Sequence, residues 1–166
     1  RRADPRHLLP DARAVIAVAV PYGPQPRPPT DDPTGHLAAQ FVGQDYHRVV
    51  AEILNRLQET ARDLGGGAAF TAAVDTRPLL ERSLAVRAGL GTLGRHTQLL
   101  VPGHGSLVAL GFLLTDRSLP ADAPLTAAPC RSCDACLRAC PTGTLRPGRG
   151  LDARRCLAYL TTATRQ

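Results

Sequence analysis

The chain has no lysine, no methionine and no tryptophan, and aromatics make up only 4% of its 166 residues. A core must therefore be built from Leu, Val and Ala. All 20 basic residues are arginine and the formal charge is +6. The arginines are dispersed, so the charge gives only weak support to an anionic partner such as nucleic acid. No apolar run reaches the roughly 18 residues that a membrane span needs, and the first residues do not read as a signal peptide. Cysteine is absent from the first 129 positions, which excludes a disulfide framework spread over the fold.

All five cysteines fall between Cys130 and Cys156. The spacing Cys130-x2-Cys133-x2-Cys136-x3-Cys140-Pro141 is the one by which bacterial ferredoxins hold cubane [4Fe-4S] clusters. A zinc site is the rival, but zinc usually takes paired C-x2-C knuckles or adds histidine. Either metal implies a reducing, cytoplasmic compartment. Each cube takes four thiolates. Cys130, Cys133 and Cys136 supply three for one cluster, and Cys140 with Cys156 two for a second. The alternative for Cys156 is a buried free thiol. The missing ligands, the start at Arg1 and the stop at Gln166 within a helical pattern suggest part of a longer protein.

Upstream, residues 14–20 (AVIAVAV) read as a buried strand. A proline-rich loop covers residues 21–33, and residues 35–42 are ambiguous between element types. Asp45 caps a helix running to about residue 64, with Val49, Ile53, Leu57 and Ala61 on one face and Val50 and Leu54 beside them. Residues 68–74 suggest a second strand. Pro78 fits the first turn of a helix over residues 79–88. After a glycine-rich turn, β runs at 97–101 and 107–115 read as a hairpin joined through Pro102-Gly103-His104-Gly105. A linker over 119–129 leads to the cysteines, and Asp152 caps a helix carrying Cys156, Tyr159 and Leu160. The order β-α-β-α-β-β followed by a Cys-bearing module suggests an α/β (α+β) domain over residues 1–120 and an iron–sulfur appendage over 121–166.

Asp75 lies where a strand, a turn and a helix start meet. Such a carboxylate is most often an N-cap; a buried one there could instead donate a proton. Tyr46 and His47 suit either cofactor contact or capping and packing. Gly89-x-Gly91-x-x-Gly94 has the dinucleotide spacing. It follows a helix, however, whereas that fingerprint follows a strand and opens a helix. A tight helix-to-strand connection is the simpler account. His36, His96 and His104 stand alone, without the i, i+4 partner of a helical metal site.

Several stretches, taken in order, resemble one family. They are Leu8-Leu9-Pro10-Asp11-Ala12-Arg13, Asp45-Tyr46-His47, Val74-Asp75-Thr76, Leu80-Glu81-Arg82 and Arg87-Ala88-Gly89-Leu90-Gly91. Gly94 with Thr97, Gly105-Ser106, the cysteine run through Pro141-Thr142-Gly143, and Asp152-Ala153-Arg154-Arg155-Cys156 continue the match. The pattern is similar to the epoxyqueuosine reductases, cobalamin-dependent iron–sulfur enzymes of queuosine tRNA modification. The resemblance implies a flavin-reductase-like cobalamin-binding domain followed by a ferredoxin-like module. It also implies a tRNA substrate, two [4Fe-4S] clusters in the full-length protein, and an external electron donor. Asp75 matches the family's proton donor. Tyr46, His47, Asp75, Gly91, Gly94, His96, Thr97, Gly105 and Ser106 match stretches that contact the corrinoid. The chain departs from the family at Ala38-Ala39-Gln40-Phe41, where an Arg-Tyr pair is usual. It departs again at Thr92 for Trp, Arg95 for Lys, Leu107-Val108 for an aromatic pair and Phe112 for Glu. A divergent reductase with another substrate, and a plain electron-transfer module, are the competing readings.

Overall fold

A computed structural model of the chain describes residues 4–23, 38–65, 67–126, 130, 132–146, 148 and 150–162. Most of the proline-rich stretch, His36 and the end of the linker lie outside the described residues. The centre is an antiparallel sheet in the order β1-β5-β2, made of β1 (Ala14–Pro21), β2 (Phe70–Ala73) and β5 (Val108–Thr115). β5 is the middle strand, with Ala17 opposite Phe112 on one side and Ala73 opposite Phe112 on the other.

Helices cover both faces, which is why β1 and β5 are almost continuously apolar rather than alternating. Helix α1 (Tyr46–Gly65) packs on β5 and β2, and helix α2 (Glu81–Arg87) packs on β1 and β5. Side chains divide by parity. Ile16, Val18, Ala109 and Leu113 meet Val50 and Leu54 of α1, while Val15, Ala17, Phe112 and Leu114 meet Leu79 and Ala85 on the α2 side. Phe112, Leu113, Leu114, Val50 and Leu54 are fully buried, each worth about 1.5–3 kcal/mol of transfer free energy. Gly111 lies where α1 crosses β5: a Cβ there would stand 2.5 Å from Val50 Cγ1. The missing side chain lets the helix approach the strand.

Several boundaries differ from expectation. The buried seam of α1 is centred on Val50 and Leu54, one residue round from the expected stripe. α2 starts at Glu81, so Pro78 lies before the helix and not in its first turn. The expected hairpin is not formed. β4 (Leu99–Leu100) pairs with β3 (Thr92–Leu93), β5 joins the central sheet, and the intervening loop closes only through a bridge between Val101 and Gly105. Burial decides this: β5 fills the middle of the sheet, where both its faces are covered, and leaves β4 to a short ribbon.

The cysteine region holds helix α3 (Ala135–Ala139), a small hairpin of β6 (Leu145–Arg146) and β7 (Gly150–Leu151), a 3-10 turn over Ala153–Arg155, and helix α4 (Leu157–Thr162). Buried Thr144 ties it together by donating from Oγ1 to the Asp152 carbonyl at 2.7 Å. Asp152 caps the 3-10 turn. Cys156 is extended at the joint before α4, not on the helix as expected. No described helix is long and apolar enough to cross a membrane.

Candidate active site

Asp75 sits in the connection between β2 and α2 with a left-handed backbone, φ 38°. Asp75 belongs to one of the few residue types besides glycine that visit that region readily. It does not cap α2: the position before that helix is Leu80, which makes no side-chain capping bond. Its carboxylate instead faces the first turn of α1. Tyr46 Oη donates to Asp75 Oδ2 at 2.7 Å, and His47 Nε2 lies 3.2 Å from the same oxygen. Asp45 anchors the other ring nitrogen, with His47 Nδ1 at 2.8 Å from Oδ1, and the same Oδ1 accepts the backbone N–H of His47 at 2.9 Å. Asp45 thus caps α1 as expected and also orients the imidazole. The Tyr46 and His47 rings stack with centroids 4.0 Å apart.

The electrostatics follow from these contacts. The Asp45 carboxylate, opposed by slight burial and helped by Asp75, raises the His47 pKa above its ordinary 6.5. Burial, then the hydrogen bond to Asp75, pushes the Tyr46 phenol far up, so it remains a donor throughout the working range. Burial followed by the Asp75 charge raises Glu81.

A cleft of about 440 Å³ opens beside this group. Tyr46, Asp75, Glu81, Arg82, Gln98 and Leu110 line it, together with Tyr22, Gln40, Val108, Ala109 and Leu151. Of the residues expected at the corrinoid, Tyr46 and Asp75 line this cleft; His47, Gly91, Gly94, His96, Thr97, Gly105 and Ser106 do not. Internal packing accounts for two of the glycines. A Cβ on Gly91 would collide with the Leu100 carbonyl, and one on Gly94 with the His96 ring. The glycine run follows α2 and opens β3, so it is a tight connection and not a dinucleotide turn. Thr97 has φ 67°, and Arg82 Nη1 secures it by donating to its carbonyl at 2.7 Å and its Oγ1 at 3.2 Å. His96 accepts the Gln98 N–H at Nδ1, and burial lowers its pKa. Glu81 and Arg82 carried no role in the sequence reading. Their signal was present, as adjacent charges directly after the apolar pair Leu79-Leu80.

The five thiols are all free; Cys133 is exposed and the other four are half-buried. Among the described residues no three His, Cys, Asp or Glu side chains converge on a single metal ion. The donors are nonetheless of the right chemistry for an iron–sulfur cube. The Leu145 backbone N–H, aided by Thr142 and Thr144, holds the Cys140 thiol down to about 7 against burial, which favours the ligating thiolate. Arg95 Nη1 donates to the Cys133 carbonyl at 2.9 Å and so links the glycine connection to the cysteine loop.

Comparison with known proteins places this geometry. A family model described as "Epoxyqueuosine reductase QueG, DUF1730" matches residues 2–76. The epoxyqueuosine reductase of Synechococcus sp. (strain CC9605) is 40% identical over 167 residues, covering 100% of this chain and 51% of that protein. The structure of epoxyqueuosine reductase from Streptococcus thermophilus superposes with a TM-score of 0.85 at 32% identity, covering 98% of this chain and 44% of that one. An epoxyqueuosine reductase crystallised with an epoxyqueuosine-modified tRNA-Tyr stem loop gives 0.84 at 34% identity, covering 96% and 43%. The chain spans about half the length of the relatives it matches. Over the stretch it spans, the chain matches the epoxyqueuosine reductases in sequence and in its mixed α/β fold.

Proposed function

We propose that the protein reduces epoxyqueuosine to queuosine at the wobble position of tRNA, with Asp75 as the proton donor. The observation that carries this reading is the aspartate whose carboxylate Tyr46 and His47 hold beside a cleft. Removing an epoxide oxygen as water consumes a pair of electrons and a pair of protons. The oxygen must be protonated as the ring opens, and a positioned carboxylic acid does this. Tyr46 and His47 fix the carboxyl that delivers the proton, and Arg82, which lines the cleft, holds Thr97.

Cobalamin, when bound, supplies the reducing centre, and two [4Fe-4S] clusters supply its electrons from an external donor. Residues 1–120 form the flavin-reductase-like cobalamin domain in this reading, and residues 121–166 the ferredoxin-like module. Cys130, Cys133 and Cys136 hold one cluster, and Cys140 and Cys156 contribute to the other. By the family resemblance, Gly91, Gly94, His96, Thr97, Gly105 and Ser106 would lie on stretches that hold the corrinoid. The reducing thiol chemistry suits the cytoplasm. The relative crystallised with a modified tRNA stem loop supports the substrate.

A second reading, a related reductase with another substrate, is favoured by one observation. Gln40 and Val108 both line the cleft, and both stand where the family usually carries other residues. Anaerobic full-length protein offered epoxyqueuosine tRNA separates the two. Queuosine formation supports the first reading; bound cobalamin without conversion supports the second. Both clusters without any cobalamin uptake would leave only an electron-transfer module.

A further inference from the structure

His47 stands between two carboxylates. Its Nδ1 lies 2.8 Å from Asp45 Oδ1 and its Nε2 3.2 Å from Asp75 Oδ2. Asp45 Oδ1 also accepts the His47 backbone N–H, so that end of the ring is anchored and Nδ1 keeps its proton against the acceptor. Nε2 is then the nitrogen that can carry a proton or release it. Asp75 lines the cleft and His47 does not; the imidazole is 39% exposed. A substrate seated in the cleft covers the Asp75 carboxyl and leaves the imidazole within reach of water.

The same heavy-atom arrangement serves two positions of one proton. With the proton on Nε2, an imidazolium donates to the Asp75 carboxylate. With it on Oδ2, Asp75 donates to a neutral imidazole whose Nδ1–H still meets Asp45. Tyr46 Oη donates to Oδ2 in either case. Only the proton has to move, and both states are hydrogen-bonded throughout. Turning an epoxide into an alkene and water consumes a pair of electrons and a pair of protons, and one carboxyl group holds a single proton. The Nε2 proton is the second, within hydrogen-bond reach of the first. The other charged groups about this relay are Arg48 on α1 and Glu81 and Arg82 at the start of α2.

We propose that His47 reloads Asp75 with a second proton during turnover. The first proton passes from the Asp75 carboxyl to the epoxide oxygen as one C–O bond breaks. The Nε2 proton then moves to Oδ2, and the renewed carboxyl protonates the hydroxyl that leaves as water. Both C–O bonding pairs depart with the oxygen, and the pair supplied by the reducing centre becomes the C=C bond. A proton from solvent restores the imidazolium. His47 touches no reacting atom and acts through Asp75, while Asp45 holds its tautomer. The reloading step rests on Asp75 being the proton donor. Its coupling to His47 is measurable without any substrate.

The test uses anaerobic full-length protein with its cofactors loaded, as wild type, His47→Gln, His47→Ala and Asp75→Asn. Two properties are read: the titration of the His47 ring by NMR without substrate, its signal identified by its loss in His47→Gln, and kcat and KM on epoxyqueuosine tRNA. Asp75→Asn should move the His47 titration to lower pH; an unchanged titration overturns the proposal whatever the substrate. His47→Gln keeps a hydrogen-bond donor but no transferable proton, and should lower kcat about tenfold or more with KM unchanged. Added imidazole should restore part of the rate of His47→Ala. A ring-fluorinated imidazole has nearly the same shape but is too weak a base to be protonated at neutral pH, and should not. Equal rescue by both rings overturns the proposal, as does a His47→Gln enzyme within about twofold of wild type. If His47→Ala fails to fold, His47→Gln and the titration decide. No conversion by wild type would instead overturn the proposed function and leave the titration to decide the coupling. Full activity in Asp75→Asn would overturn the proton-donor reading and the reloading step with it.

Discussion

Tyr46 and Asp75 are joined by a 2.7 Å hydrogen bond from the phenol to Oδ2, across 29 positions of sequence. The bond ties the first turn of α1 to the loop after β2. Its donor role is secure, because burial and Asp75 both hold the proton on the phenol. Tyr46→Phe keeps the ring and its stack on His47 and removes only the donor. A hydrogen bond of this kind contributes about 0.5–1.5 kcal/mol, so kcat should fall about twofold to tenfold. Steady-state kinetics on the full-length enzyme checks this, and an unchanged kcat would separate the phenol from the mechanism.

His47 makes stability depend on pH in a definite direction. Asp45 first, and then Asp75, favour its protonated form, so its folded pKa lies above 6.5. Its contribution is therefore complete below about 6.5 and is lost as pH rises through the higher folded value. The advantage of wild type over His47→Gln in Tm should be larger near about pH 5.5 than near about pH 8.5. Both side chains are substantially exposed, so the difference is small and shrinks in high salt. Parallel Tm curves for the two proteins would refute the linkage.

Leu54 is fully buried where α1 meets the sheet. Leu54→Ala should cost about 2–5 kcal/mol of stability. Chemical denaturation measures it. A loss below about 0.5 kcal/mol would mean that α1 does not pack as described.

In the proposed reading the cysteines separate into two sets. Cys130→Ser should abolish one cluster and leave the second, and Cys140→Ser or Cys156→Ser should do the reverse. Iron and sulfide content with electron paramagnetic resonance of the full-length protein distinguishes them. Loss of the same signal in Cys130→Ser and Cys156→Ser would place both thiols on one cluster.

The elements with long, unbroken patterns were legible in the sequence. α1 repeats a helical period along its length, and β1 and β5 are unbroken apolar runs of strand length; each appears close to where that pattern put it. The pairing of β4 was not legible, because its partner β3 is two residues long and has no periodicity to read. α2 begins late because residues 75–80 form the irregular turn that carries Asp75. The aspartate's position at the end of β2 could be inferred from its neighbours. Its bonds to Tyr46 and His47 could not, because contacts across 28 and 29 positions leave no local trace. Glu81 is a similar case: only the fold shows that its charge turns inward. The glycines of the Gly89–Gly94 run signalled close approach, and the structure shows that the approaching groups are the chain's own Leu100 carbonyl and His96 ring.

The central claim is that Asp75 gives the proton that opens the epoxide. Its most direct test is Asp75→Asn in anaerobically purified full-length protein, assayed for conversion of epoxyqueuosine tRNA with cluster and cobalamin content measured alongside. Loss of about 10²-fold or more in turnover at unchanged cofactor content is the predicted result. Retained turnover would contradict it.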